Sequence, residues 1–386
     1  MELSLYFDKT SVLEEIEHSQ EHTFASNVVF AEEDNVLVGV DIVIMGVCED
    51  RNSITKGSAG SPDHIRKELY KLTSINGFHI ADLGNLKIGK TIEDTYVALS
   101  EVLSSLDFLG ATSIILGGSQ DLILAVLDGL NKSRKKEQIK FVNIDSTLDI
   151  KDKKVKSINA HNFLGRAYRE KTIDIANLAY QKHLCLSKDK YAKNIIENIS
   201  LGELRDDFML DAEPVLREAD VVGVDVGVLK ASEFPALEKP NANGLNSEEL
   251  CKLMVFSGVS PKVSCVGFFN YLPEHDNRNI SSFLLAQAVW YFCDSFMYRV
   301  DEHPSNTEDL FKKYIVSIED TGIVSTFYQS EVTGRFWVDV ATDVNNTWHN
   351  EEHKFVPCTD FDFEEANKGK VSPRLFYNLT KDSEQT

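Results

Sequence analysis

Two aspartates four residues apart, Asp145 and Asp149, close the segment Asn143-Ile144-Asp145-Ser146-Thr147-Leu148-Asp149, directly after the apolar run Ile139 to Ile144. Carboxylates at a strand end are suited to hold a hard cation or to move a proton. Between them stands Thr147, a poor ligand for a first-row metal. Two other apolar runs end in comparable groups. Thr112 to Leu116 leads through Gly117-Gly118-Ser119 to Gln120, and Asp220 to Val226 carries Asp225, followed by Gly227. In a parallel α/β sheet, ligands bind beyond the carboxyl ends of the strands, so Gln120, Asp145, Asp149 and Asp225 could converge there. Each group taken singly also reads as a helix cap or a loop closure.

Other candidates are weaker. His161, in Ser157-Ile158-Asn159-Ala160-His161-Asn162-Phe163, reads as a surface or hydrogen-bonding group, or as a replacement ligand or general base. His349-Asn350-Glu351-Glu352-His353 lacks a glutamate directly after its first histidine, which a zinc-protease helix requires. Gly117-Gly118-Ser119 has no following Lys-Ser/Thr and is not a phosphate-binding loop, and no Gly-x-Ser-x-Gly nucleophile turn occurs.

The elements that must position these groups alternate from about residue 40. Strands are expected over Val40–Cys48, Gly77–Leu83, Thr112–Leu116, Ile139–Ile144, His183–Leu186, Asp220–Val226 and Lys262–Phe269. Helices are expected from Ser61 through Leu72, Thr91 to Leu109, after Gln120 to Leu130, Ser247 to Ser257 and Ser281 to Phe296. Thr91 and Asp94 form a capping box. This order predicts an α/β fold, three-layered αβα with a mainly parallel sheet. Residues 1–36 and 301–386 fall outside the alternation, as an amino-terminal extension and a β-rich carboxy-terminal extension packing on the 37–300 domain. The latter has a hairpin pattern over Ile315–Ile318 and Val324–Gln329, then Arg335–Val340.

With 386 residues and 42% apolar side chains the chain can bury a sizeable core, and its formal charge of −21 argues against nucleic acid or anionic membrane as a main partner. No run reaches the length of a membrane span. The six cysteines are scattered without a Cys-x-x-Cys pair, and with no signal-peptide pattern at Met1 to Lys9 the expected compartment is the cytoplasm.

Several segments, in order, resemble the ureohydrolase superfamily of arginases, agmatinases and formimidoylglutamases, the last most of all. They are Val43 to Asp50, Gly57 to Lys67 (similar to Gly-x-x-x-Gly-Pro-x-x-Ile-Arg), Asp82-Leu83-Gly84-Asn85, Leu116-Gly117-Gly118, Asn241 to Leu245, and Phe269-Asn270 on the Val-Asn of Glu-Val-Asn-Pro. The resemblance implies an arginase-like fold and two manganese ions that activate water against a guanidine or amidine carbon. Carried over, the first ligand histidine falls on Gln120, Asp-x-His-x-Asp on Asp145, Thr147 and Asp149, and Asp-x-Asp on Asp225 and Gly227. A substrate-binding glutamate falls on Phe268, and a substrate loop on the segment with His161.

Three of six implied ligands are therefore replaced, and the two-metal mechanism looks disabled. The leading expectation is a pseudoenzyme with no bound metal, serving as a protein- or ligand-binding subunit whose partner is another protein or itself, in a homo-oligomer. The first alternative is a hydrolase of linear amidine C–N bonds, acting on N-formimidoyl-glutamate to give glutamate and formamide with two Mn ions. The second is a binding protein with one hard cation (Mg, Ca or Mn) on Gln120, Asp145, Asp149 and Asp225.

Overall fold

The computed structural model describes residues 3–10, 12, 22–30, 37–135, 137–150, 158–185, 197–319, 323–341, 353–372 and 375. Two compact units divide the chain, residues 1–299 and 300–386.

The first unit is built on a ten-stranded sheet: β1 (Phe7–Asp8), β2 (Val28–Phe30), β3 (Ile42–Val47), β4 (Ile80–Leu86), β5 (Thr112–Leu116), β6 (Ile139–Ile144), β7 (Ile173–Tyr180), β8 (Glu197–Ser200), β9 (Val221–Asp225) and β10 (Cys265–Phe269). Their order is β1-β4-β3-β5-β10-β9-β6-β7-β8, with β2 also pairing β4. Every pairing is parallel except that of β1 with β4. The parallel strands must be covered on both faces, and their sequences show it: all six residues of β3 are buried. Successive side chains of β3 enter opposite cores. Ile42 and Ile44 join one apolar cluster, and Val43, Met45 and Val47 the other.

Helices close both faces. α1 (Ser61–Leu69) contributes Ile65 and Leu69 to the first cluster, while α2 (Ile92–Phe108) and α3 (Ile123–Ser133) contribute Leu99, Val102, Val126 and Leu130 to the second. The Thr91–Asp94 capping box is present at the start of α2. α4 (Phe163–Ala167), α5 (Leu201–Arg205) and α6 (Ala212–Arg217) are short, and α7 (Ser247–Gly258) and α8 (Ile280–Phe296) pack Leu253 and Leu285 into the first cluster. The expected three-layer α/β architecture is the observed one.

Local readings differ at the sheet's far side. The strand expected over His183–Leu186 is not formed: residues 183–185 form a turn and bend, and Leu186 lies outside the described residues. The strands there are β7 and β8. Asp174 and Asn177 break the apolar run of β7, yet Asn177 is fully buried because Asn143 of the adjacent strand donates to it, 2.8 Å away.

One buried ion pair fixes α1 against β4. Arg66, fully buried, donates from Nε and Nη2 to the two Asp82 oxygens at 2.9 and 3.0 Å, and also to the Gly84 carbonyl and Asn85. That bidentate geometry, with further acceptors filled, is what a buried guanidinium requires.

The second unit is an antiparallel meander of β11 (Phe311–Ile318), β12 (Ile323–Ser330), β13 (Phe336–Ala341) and β14 (His353–Cys358). Its helix α9 (Asp360–Asn367) is capped by Thr359 and sets Phe363 against Phe327 and Phe336. The expected hairpin forms here with longer strands. Of the rejected histidine pair, His353 begins β14, and His349 lies outside the described residues, as does the polar tail from Lys381. No helix among the described residues is long and apolar enough to cross a membrane.

Candidate functional site: a carboxylate cluster at the strand ends

Adjacent strands β6 and β9 end side by side, since Ile144 pairs with Val224. Asp145 follows β6 directly, and Asp225 is the last residue of β9. With Asp149 they form a cluster whose nearest carboxylate oxygens all lie within 4.8 Å of one another. Asp145 and Asp149 are buried, and Asp225 is half-buried. The cluster opens into a cavity of about 270 Å³, lined also by Thr147, His161, Gly227 and Asn270.

Backbone geometry explains part of the placement. Each chain turns sharply after its strand, and the aspartate accepts the N–H two residues on: Thr147 N to Asp145 Oδ1 at 2.8 Å, and Gly227 N to Asp225 Oδ1 at 2.6 Å. The second oxygen of Asp225 accepts from Asn270 Nδ2 at 2.7 Å. Among the described residues Asp149 has neither kind of support. Its neighbours are the Thr147 hydroxyl, 3.2 Å away, and His161 Nδ1, 3.4 Å away.

Three carboxylates so close resist ionising together. Burial raises the Asp145 carboxyl well above its ordinary range, and the charges of Asp149 and Asp225 raise it further. Asp225 is pushed up to about 6, again by burial first and Asp149 second, against the hydrogen bonds from Gly227 and Asn270. A divalent cation removes that repulsion, so the cluster is a set of hard oxygen donors short of positive charge.

Of the residues singled out in the sequence, Asp145, Thr147, Asp149, His161, Asp225 and Gly227 line the cavity. Gln120 and Phe268 do not. Phe268 is in the apolar core within β10, because its strand position turns it into the sheet's covered face. Gln120 is fully buried, with Nε2 donating to Asn143 Oδ1 at 2.9 Å. Its Oε1 is buried and has no hydrogen-bond partner among the described residues. The three carboxylates are a donor set that suits one hard cation. At the two remaining positions Thr147 offers a hydroxyl directed at the aspartates and Gly227 has no side chain.

The sequence reading gave no role to Asn143, Asn177 or Asn270. Asn143 and Asn177, both fully buried, continue the amide chain from Gln120 beneath the cluster. Amides inside apolar strand runs were the available signal. The cavity wall from Ser53 to Thr55 had none. It belongs to a loop wrapped around Lys56, which donates to three carbonyls, those of Asp50, Arg51 and Ser53.

Residues 40–293 match the model of the arginase family. The chain belongs to the arginase family. A curated formimidoylglutamase of Enterobacter sp. (strain 638) is 23% identical over 265 residues, covering 64% of this chain and 84% of the relative. The crystal structure of Trypanosoma cruzi formiminoglutamase with Mn2+2 superposes with a TM-score of 0.66 at 19% identity, over 73% of this chain and all of that one. The crystal structure of formimidoylglutamase from Bacillus subtilis superposes with a TM-score of 0.65 at 17% identity, over 74% of this chain and 96% of its own. These agree with the resemblance to the formimidoylglutamase branch. They also correct the leading expectation of a chain without metal: the family's matching fold is seen as a Mn2+ complex, and three carboxylates here form a group able to hold a metal ion.

Proposed function

We propose that the protein is a hydrolase of linear amidine C–N bonds, of the formimidoylglutamase type, working with one hard divalent cation on Asp145, Asp149 and Asp225 and the Gln120 carbonyl as a further donor. The carrying observation is the three-carboxylate cluster opening into a cavity at the carboxyl ends of β6 and β9. The names of its relatives support the substrate class. A bound cation would supply Lewis-acid polarisation there. The chain's own contribution is His161, which lines the cavity beside Asp149 and is placed to take or return a proton. It would take over part of the work that a second cation performs in a two-metal centre.

A second reading, a binding protein without turnover, is favoured by one observation: Thr147 and Gly227 leave no donors for a second cation. Its task would be capture of a small ligand in the cavity, or of a second protein chain.

Metal content after purification with Mn2+, measured beside formamide and urea release, separates the two. One metal per chain with formamide release that is lost in Asp145→Ala and in His161→Ala is the expected result. One metal with no release from N-formimidoyl-glutamate or related amidines leaves only the binding reading. No Mn2+ binding at millimolar concentration would sink the hydrolase reading.

A further inference from the structure

Asn270 stands one residue beyond β10 with φ of +67°, in the left-handed region that few residues other than glycine and asparagine enter. From there its side chain reaches two other strand ends. Nδ2 donates to Asp225 Oδ2 at 2.7 Å, and Oδ1 accepts the backbone N–H of Gln120 at 3.3 Å. Its own N–H donates to the Gly118 carbonyl at 3.0 Å. One residue thus ties β10 to the turn after β5 and to the end of β9.

The consequence falls on Asp225. A carboxylate has about four lone-pair positions. Gly227 N–H occupies one on Oδ1 and Asn270 Nδ2 one on Oδ2, which stops the carboxylate rotating and leaves a free position on each oxygen. We infer that Asn270 is a positioning residue for the cation site: it fixes the plane of Asp225 and couples it to the backbone of Gln120. This rests on the one-cation reading above. The competing account is that Asn270 merely tolerates a turn with positive φ, and the two separate at one substitution. Asn270→Gly keeps the backbone conformation and removes the amide.

The test is Mn2+ titration by calorimetry, with the electron paramagnetic resonance spectrum of the bound ion, on the wild-type chain, Asn270→Gly and Asn270→Ser. Removing an outer partner of a metal ligand weakens binding by roughly 10–100-fold. That loss is expected in both variants, with the metal-free melting temperature of Asn270→Gly near wild type and a broadened Mn2+ spectrum. A folded variant of either kind that binds Mn2+ with wild-type affinity and spectrum overturns the inference. Absence of Mn2+ binding by the wild-type chain is a different result, and overturns the one-cation reading itself.

Discussion

Replacing Asp149 by asparagine makes the metal-free protein more stable and the metal-binding protein worse. Asp149 is buried, and its charge raises both Asp145 and Asp225. Moving the Asp225 carboxyl from 3.8 to about 6 corresponds to roughly 3 kcal/mol. Burial is the larger cause and Asp149 the second, so Asp149→Asn returns on the order of 1 kcal/mol through Asp225 and acts in the same direction through Asp145. The sign follows from proton binding. A carboxyl raised on folding holds its proton better in the folded state, so its stability contribution is full below pH 3.8 and lost as pH rises through about 6. Wild-type protein without metal therefore loses stability over that window, and Asp149→Asn loses less. Thermal unfolding in the presence of chelator should show the variant melting roughly 2–4 °C higher at pH 8, with a smaller gain at pH 4.5. Added Mn2+ should raise the wild-type melting temperature at pH 8 and the variant's much less. A variant that melts lower than wild type at pH 8, or that gains equally at both pH values, would refute the account of mutual repulsion.

Three further outcomes follow from the packing of the first unit. Arg66→Met strands Asp82 in the core without its cation and should cost roughly 3–5 kcal/mol in urea denaturation; a loss below about 1 kcal/mol would show that Tyr70 and the Gly84 N–H hold Asp82 alone. Gly117→Ala should destabilise by about 1–3 kcal/mol from backbone strain alone, since Gly117 has φ of +82°, and its Cβ would sit 1.9 Å from Ser61 Oγ; an unchanged melting temperature would count against the close approach. Thr147→His with Gly227→Asp supplies the donors that a second cation lacks, and elemental analysis should move from one Mn per chain toward two. At 227 the new Cβ lies 2.9 Å from Asp225 Oδ1, so Asp225 must give way, and a stoichiometry that stays at one would show it cannot.

The fold was legible where chemistry is local. β6 was read with the bounds it has, the capping box at Thr91 is in place, and the strand-helix alternation gave three layers because each run carries its own apolar period. β7 was not legible. Its Asn177 looks like a break until Asn143, 34 residues earlier, supplies the partner that permits its burial. The same distinction divides the site. Carboxylates after strands announce themselves, whereas the part played by Asn270 depends on a left-handed backbone and on partners up to 150 residues away. Phe268 shows the opposite error: aligned with a binding residue, it belongs by strand register to the core.

The three aspartates are not equal evidence for a cation. Asp145 and Asp225 have work in the fold without one, because each accepts a backbone N–H that its turn would otherwise leave unpaired. Either could stand in a chain that binds nothing. Asp149 has no such task among its described contacts: it accepts from the Thr147 hydroxyl, adjoins His161, and raises two neighbouring carboxyls. A buried carboxylate that stabilises no turn and raises two neighbouring carboxyls costs the metal-free fold what its contact with His161 does not offset. An asparagine would keep the hydrogen bond from Thr147 without that cost. The presence of an ionisable group at 149, rather than the number of carboxylates in the cluster, is therefore the structural argument that this site holds positive charge when the protein works.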